Sequence, residues 1–346
     1  MKLPKSKPYY PLGTRLLIEL LSEGALPQII AADIDPDYGH VGRLTYADGN
    51  VRFFRNTNRG INNHGASAIS KDKGYTRYFL KNLGYTIATG RTFLTDNYIK
   101  LIDTHLSHYD FDDYHSADDA LTFIRETTGY PCFLKPNESS MGHGVRQCFD
   151  AANVLEVIAS YHQKQIRVFL VEAAIPYPDY RVIVFDGQVH IAYQRIPLHV
   201  TGDGKHTIRD LLENAQETFR AQGRKTYIDP DDPRISKKLV QSNLTLEGIL
   251  DDGDSIQIYD VANASTGGRI VDVTEKLHPH WKNLCANITH DMGLRLCGVD
   301  LACADASDPS AEYAIFEINS SPGMANYAAS GESQRARVKM LMRAMF

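Results

Sequence analysis

The chain lacks the features that mark several special classes of protein. Its five cysteines (Cys132, Cys148, Cys285, Cys297, Cys303) are scattered, odd in number and contain no Cys-x-x-Cys pair. That excludes a disulfide framework and a paired-cysteine zinc site, and it fits a reducing compartment. Long hydrophobic runs are missing too: near the N-terminus the longest, Leu16-Leu-Ile-Glu-Leu-Leu21, is interrupted by Glu19. It is too short for a signal h-region or a membrane span, so a cytoplasmic protein with no membrane role is expected. Neither charge sign dominates, since 37 Lys and Arg stand against 42 Asp and Glu, a net −5. This argues against a general nucleic-acid or anionic-membrane binder, although a local basic cleft for phosphates is compatible with it. No internal repeat or low-complexity segment is present. What remains is ordinary: 346 residues, 43% hydrophobic and 23% charged, sized for about two domains or one multi-lobed enzyme.

Residues 1–70 are irregular and rich in Gly and Asn. They predict a short helix at Thr14–Ser22 and a hairpin, Gly42–Tyr46 with Val51–Arg55, around an Asp-Gly turn. So few strands would make a poor independent core, so this stretch is expected to be an appendage on the rest. Asp72–Leu83 has apolar residues at helical spacing (Tyr75, Tyr78, Phe79, Leu83) and Gly84 as a stop. A helix after Asp118-Asp119, a strand at Tyr130–Lys135, a helix at Ala151–Lys164 and a strand at Ile166–Ala174 follow. Arg181–Phe185 and Val189–Arg195 flank the hairpin turn Asp186-Gly187. Helices at Thr207–Arg220 and Pro279–Met292 enclose a charged, proline-bearing surface loop at Asp229–Arg234. The last predicted strands are Leu296–Ala302 and Glu312–Ile318. Hairpins mixed with separated helices indicate an α+β class, without the strict βαβ rhythm of a doubly wound sheet.

Three constellations carry chemical potential. In Phe133-Leu-Lys-Pro-Asn-Glu-Ser-Ser-Met-Gly-His-Gly-Val-Arg146, a strand delivers Lys135 into a loop of small residues. Their exposed N–H groups and the lysine charge suit phosphate oxygens; the plain alternative is a mobile surface loop. Gly298-Val-Asp300 on one strand and Phe316-Glu-Ile-Asn319 on the next supply only oxygen ligands, with Glu317 and Asn319 on one strand face. Such a set suits Mg²⁺ completed by substrate phosphates, and its apolar flanks imply buried carboxylates that need partners. Val168–Pro178 is a core strand leading to Asp179-Tyr-Arg181, where a salt bridge is the simple reading. His278-Pro-His280 reads as polarity at a helix start, Trp281 as core, and Asp110-Phe-Asp-Asp113 as a solvated acidic face.

Taken in order, these residues resemble the ATP-grasp ligases, in particular the ATP-grasp modules of cyanophycin synthetase and bifunctional glutathione synthetases. The resemblance covers about residues 70–325. Its motifs are Lys71-Asp-Lys73, Phe133-Leu-Lys-Pro136, Val171-Glu172, Pro178-Asp-Tyr-Arg181, His199-Val-Thr-Gly-Asp-Gly-Lys-His-Thr-Ile208, Asn263-Ala-Ser-Thr-Gly-Gly268, Gly298-Val-Asp300 and Glu317-Ile-Asn-Ser-Ser-Pro-Gly323.

The resemblance implies two α+β lobes gripping ATP: a small lobe at 71–175 and a C-terminal lobe at 176–346, with 1–70 as a reduced N-terminal region. It implies that Lys73 and Lys135 contact ATP phosphates under a lid including Ser139, Ser140, Gly142 and Gly144. Glu172 would reach the adenine beside the backbone of Ala173, Ala174 and Ile175, and Asp179 the ribose. Asp300, Glu317 and Asn319 would hold two Mg²⁺ ions, and Arg181 and Arg195 would act on the transferred phosphoryl and the acyl group. Lys205, Asn263, Gly267, Gly268, Ser321 and Gly323 would line the substrate region.

The activity implied is ligation of a carboxylate to an amine through an acylphosphate, with an amino acid or small peptide as substrate. A carboxylate–thiol ligase and a non-catalytic ATP-binding module are the alternatives, and a homodimer is left open. Two positions depart from the relatives' pattern: Tyr259 stands where an arginine commonly precedes the Asn-x-Ser-Thr-Gly-Gly motif, and Met324-Ala-Asn-Tyr327 lacks a basic residue.

Overall fold

A computed structural model describes residues 3–105, 115–139, 142–221, 226–260 and 267–346; the acidic stretch Asp110–Asp113 lies outside them. The chain begins with α1 (Leu12–Ser22), followed by β1 (Ile29–Ile34), β2 (Val41–Tyr46) and β3 (Val51–Arg55) in an antiparallel sheet of that order. The Asp-Gly turn joins β2 to β3, with Asp48 accepting from the Asn50 amide at 2.9 Å and Gly49 at φ +85°.

The helix and the hairpin fall where the sequence places them, and β1 is a third strand that it does not announce. Strand β1 was hidden because Ile29 and Ile34 are buried while the residues between them are more exposed, which breaks the alternation that announces a strand. The region nonetheless shares its core with distant residues. Leu16, Leu17 and Leu20 of α1, with Leu44 and Phe54, pack into one cluster with Ile183, Ile191, Tyr327, Leu341 and Met342.

Next come α2 (His64–Ile69), α3 (Lys73–Asn82), β4 (Gly90–Leu94), α4 (Asp96–His105) and α5 (Ala117–Phe123), which runs on as a π turn over Ile124–Thr128. Then follow β5 (Cys132–Pro136), β6 (Arg146–Cys148), α6 (Ala151–Gln163) and β7 (Val168–Ala173), giving a sheet of order β4-β7-β5-β6.

Helix α3 forms as expected, capped by Asp72 on the Tyr75 amide at 2.8 Å. It is turned the other way, however: Tyr75 and Tyr78 are exposed, while Lys73, Thr76, Arg77 and Leu80 are buried. The buried polar stripe wins because it has partners across the fold, described below.

The second half contains β8 (Asp179–Phe185), β9 (Gln188–Ile196), β10 (His199–Thr201), α7 (Ile208–Ala221), α8 (Pro233–Gln241), β11 (Ser255–Gln257) and β12 (Arg269–Asp272). It ends with α9 (Pro279–Asp291), β13 (Leu296–Cys303), β14 (Tyr313–Asn319), α10 (Ala325–Ala329) and α11 (Glu332–Met345). Helix α8 starts inside the stretch read as a loop, with Asp232 capping it and Pro233 at its first position.

The main sheet has the order β12-β9-β8-β13-β14, and all pairings between named strands are antiparallel. Its two faces separate by the strand period of two. Tyr180, Val182, Val184, Val299 and Leu301 face α9, where Trp281, Cys285 and Ile288 complete a core. At one end of the opposite face Ile183, Phe185 and Leu296 meet the N-terminal cluster. At the other end that face carries charged residues.

Candidate functional site

The charged row follows from strand register. Asp300 of β13 lies opposite Arg181 of β8 on one side and Glu317 of β14 on the other. Asp179 is two residues from Arg181 on the same face and pairs in register with Arg195 of β9. Asn319 follows Glu317 at the same spacing, opposite Gly298. A side chain at 298 would meet Pro322 at 2.8 Å and Arg181 at 3.2 Å, so glycine there makes room for the arginine.

Asp300 is 4% exposed and is gripped from two directions. Arg181 donates through Nε and through Nη2 at 3.0 Å, and Arg195 Nη2 lies 3.0 Å from Oδ2. Arg195 also donates to Asp179 at 2.6 Å. Burial raises the proton affinity of Asp300, but the two guanidiniums outweigh it and hold the carboxyl below its usual range. At Glu317 burial prevails with help from the Asp300 charge, against Lys73, so its carboxyl is pushed up. The Glu317 carboxylate makes no hydrogen bond or ion pair with a described residue, and the buried Asn319 Nδ2 has no partner.

A second charged group faces this row from the four-stranded sheet. Lys135 of β5 reaches over the Phe316 ring of β14, 5.5 Å from its centroid. Its ammonium pairs with Glu172 of β7, which is 1% exposed. Glu172 also accepts from Arg77 Nη1 at 2.7 Å, and Arg77 Nη2 donates to Gly90 O at 3.2 Å and to Ala88 O. Lys73 donates to the carbonyl oxygens of Ser139 at 2.9 Å and Asn137 at 3.3 Å. Burial, then the charge of Lys135, lowers its ammonium against the pull of Glu317, Glu172 and Asp72.

Arg77 and Asn137 are the residues that sequence reasoning missed. The signal was available, since Lys73, Thr76, Arg77 and Leu80 form one face of α3. Asn137 fastens the loop after β5 to that helix: its Nδ2 donates to Asp72 at 2.6 Å and its Oδ1 accepts from the Gly74 amide at 2.9 Å.

The other expected positions are placed as follows. Ser139 Oγ donates to Pro136 O at 3.2 Å; Gly142 and Gly144 have φ of +72° and +76°; the Gly144 carbonyl accepts from Tyr161 at 2.6 Å. The Ala173 and Ala174 amides donate to Thr89 O at 2.8 Å and Pro131 O at 3.3 Å, and Ile175 is half-buried beyond them. Lys205 is exposed in the turn after β10, with its amide on Asp203 at 3.0 Å and no ion pair to the cluster. Gly267 has φ +90° against Leu198 and Phe219, and Gly268 is buried beside it. Ser321 is half-buried and Gly323 exposed in the turn after β14. Ser140 and Asn263 lie outside the described residues. His278 caps α9 through the His280 amide at 3.1 Å, and Trp281 is buried.

No protein-family model matches the chain. The chain is 26% identical over 276 residues to a cyanophycin synthetase from Crocosphaera subtropica, covering 77% of this chain and 29% of that protein. It is 29% identical over 270 residues to a bifunctional glutathione biosynthesis protein from Streptococcus mutans, covering 73% of this chain and 32% of that one. It thus spans about a third or less of these relatives. The solved bifunctional glutathione synthetase from Pasteurella multocida superposes with a TM-score of 0.59 at 20% identity, over 97% of this chain and 44% of that one. The chain has the ATP-grasp fold of that ligase structure. Its sequence is similar to those of the cyanophycin synthetases and the bifunctional glutathione proteins.

Proposed function

We propose that the chain is an ADP-forming carboxylate–amine ligase working in the cleft between residues 71–175 and 176–346. The observation that carries this reading is the meeting of two polar sets, Lys73 of α3 with Lys135 of the four-stranded sheet, and Asp300, Glu317 and Asn319 of the main sheet, with the Lys135 ammonium over the Phe316 ring. The γ-phosphoryl of ATP passes to a substrate carboxylate, and the resulting acylphosphate is attacked by an amine, releasing phosphate. Lys73 and Lys135 neutralise phosphate charge, and Arg181 and Arg195 stabilise oxygens of the transferred phosphoryl and the tetrahedral adduct. Glu172 fixes the position of Lys135, and the backbone at 173–175 and Asp179 receive the nucleoside. Ser139, Gly142 and Gly144 border the phosphates, while Gly267, Gly268, Ser321 and Gly323 border the acceptor.

Among the described residues no three His, Cys, Asp or Glu side chains form a self-sufficient metal site. The donors fit a hard ion shared with a polyphosphate: Glu317 is unpaired, and the Asn319 amide has an orphaned buried atom. Mg²⁺, in two sites, would be held by Glu317, Asn319 and Asp300 and would supply charge neutralisation of the phosphates. Amino acids or small peptides are the substrate class that the similar proteins' names support.

The test is ATP turnover against pooled amino acids and dipeptides with hydroxylamine present. A pool that yields ADP and a hydroxamate supports the reading, whereas turnover to AMP and pyrophosphate opposes it.

A further inference from the structure

Arg59 lies between β3 and α2 and is 4% exposed. Its Nε and Nη1 are buried without a hydrogen-bond partner, and it takes part in no ion pair among the described residues. Its guanidinium lies over the Phe54 ring, 5.7 Å from the centroid. Burial alone lowers it to about 10, with no carboxylate acting against that, so it is still charged at neutral pH. A buried, unpaired cation is among the most costly groups in a folded protein.

Its surroundings add to the cost. The guanidinium stands on Gly13, where a Cβ would lie 1.5 Å from Nη2. Gly13 belongs to the first turn of the 11-residue α1, whose cap, Pro11, offers no side-chain acceptor, and no acid lies in that turn. Its only charged member is another cation, Arg15, whose Nε is also buried without a partner. The amides of Thr14 and Arg15 turn back to Pro11 O at 2.9 and 3.1 Å. Those of Leu12 and Gly13 have no intrahelical acceptor, as the start of a helix requires. A positive helix end and an unpaired guanidinium thus converge with no carboxylate paired to either among the described residues.

We propose that Arg59 and the first turn of α1 bind the oxyanion group of a small molecule, a carboxylate or a phosphate. An oxyanion satisfies guanidinium donors and helix amides together, which neither a chloride nor a single water does as well. The segment carrying Arg59 is hydrogen-bonded to the start of β13 and to the end of β14. Further along the same segment, Asn62 donates to Leu296 O at 2.7 Å and to Ser320 O at 2.8 Å. It also accepts from the Arg295 and Leu296 amides at 2.8 and 2.9 Å. Occupancy of the Arg59 site is therefore linked to the placement of the turn that begins at Ser320.

Thermal unfolding of the full chain, titrated at constant ionic strength with inorganic phosphate in one arm and with amino acids or dipeptides in the other, tests this. Saturable stabilisation beyond chloride is expected in at least one arm, and the responding arm identifies the source. It should persist in Lys135→Ala, which disables the nucleotide phosphate contact, so this result stands or falls apart from the ligase reading. Apparent affinity should drop about tenfold or more in Arg59→Met. Arg59→Lys should recover part of it, and Gly13→Ala, which keeps the charge but displaces the guanidinium, should weaken it. Arg59→Met without ligand should be at least as stable as wild type, because an unpaired buried charge is gone. Anion responses equal in wild type, Arg59→Met and Gly13→Ala, or absent from both arms, overturn the proposal.

Discussion

At the scale of single residues, the cleft is organised by how its buried charges are paired. Asp300 and Glu172 each hold two cations, whereas Glu317 and the Asn319 amide are left open. The open pair should therefore matter for chemistry more than for folding. Glu317→Ala and Asn319→Ala should melt close to wild type yet lose Mg²⁺-dependent ATP turnover; either variant turning over normally at low magnesium contradicts the metal assignment. Arg77 should behave in the opposite way. Arg77→Met strips one partner from a carboxylate that is 1% exposed, a loss expected to cost about 3–5 kcal/mol in a denaturant melt. Lys135→Ala should weaken ATP binding far more than adenosine binding, since the lysine acts on phosphates as a point charge; equal weakening would show a folding defect instead. The triad and both lysines were legible because they sit in short motifs beside apolar strands. Arg77 and Arg59 were not, because their importance comes from partners, or the lack of them, contributed by segments far apart in the chain.

At the scale of elements, the sequence located most strands and helices by period and turn chemistry. The Asp186-Gly187 turn, both residues at positive φ, is the clearest case. Orientation was harder to read than existence. Helix α3 shows an aromatic stripe that simple amphipathicity would bury, but the capping Asp72, Lys73 and Arg77 have partners in the cleft and the aromatics face outward. Strand β1 escaped because it has no clean alternation; helix α11 was missed although it buries Val338, Leu341, Met342 and Met345 at helical spacing. The link between the chain's ends is also electrostatic: Glu19 of α1 accepts from Arg335 at 2.7 Å and Lys339 at 2.6 Å on α11. Those hydrogen bonds hold the Glu19 carboxyl below its ordinary 4.5. A depressed folded value means the stabilisation is present above about pH 4.5 and is lost as pH falls through the depressed value. Glu19→Gln should flatten the acid side of the stability–pH curve, with only a small change near neutrality because the pair is partly exposed. An unchanged acid limb would show that the contact carries no weight.

At the scale of the whole molecule, the N-terminal region and the C-terminal helix complete one core against the main sheet. That core covers one end of the sheet face whose other end carries the charged row, so the region flanks the cleft on the same face. Leu17→Ala should cost about 2–5 kcal/mol, and unfolding should be followed by both the N-terminal tyrosines and the lone Trp281 in a single transition. A separate early transition for the N-terminal region would mean that it is only loosely attached.

The central claim, that a substrate carboxylate takes the γ-phosphoryl in this cleft, is tested most directly by oxygen transfer. The acid identified in the turnover screen is supplied with ¹⁸O in its carboxylate, and the released phosphate is analysed by mass. The account predicts one ¹⁸O per phosphate, formed in step with amide and abolished in Glu317→Ala. Unlabelled phosphate, or label appearing in AMP, would contradict it.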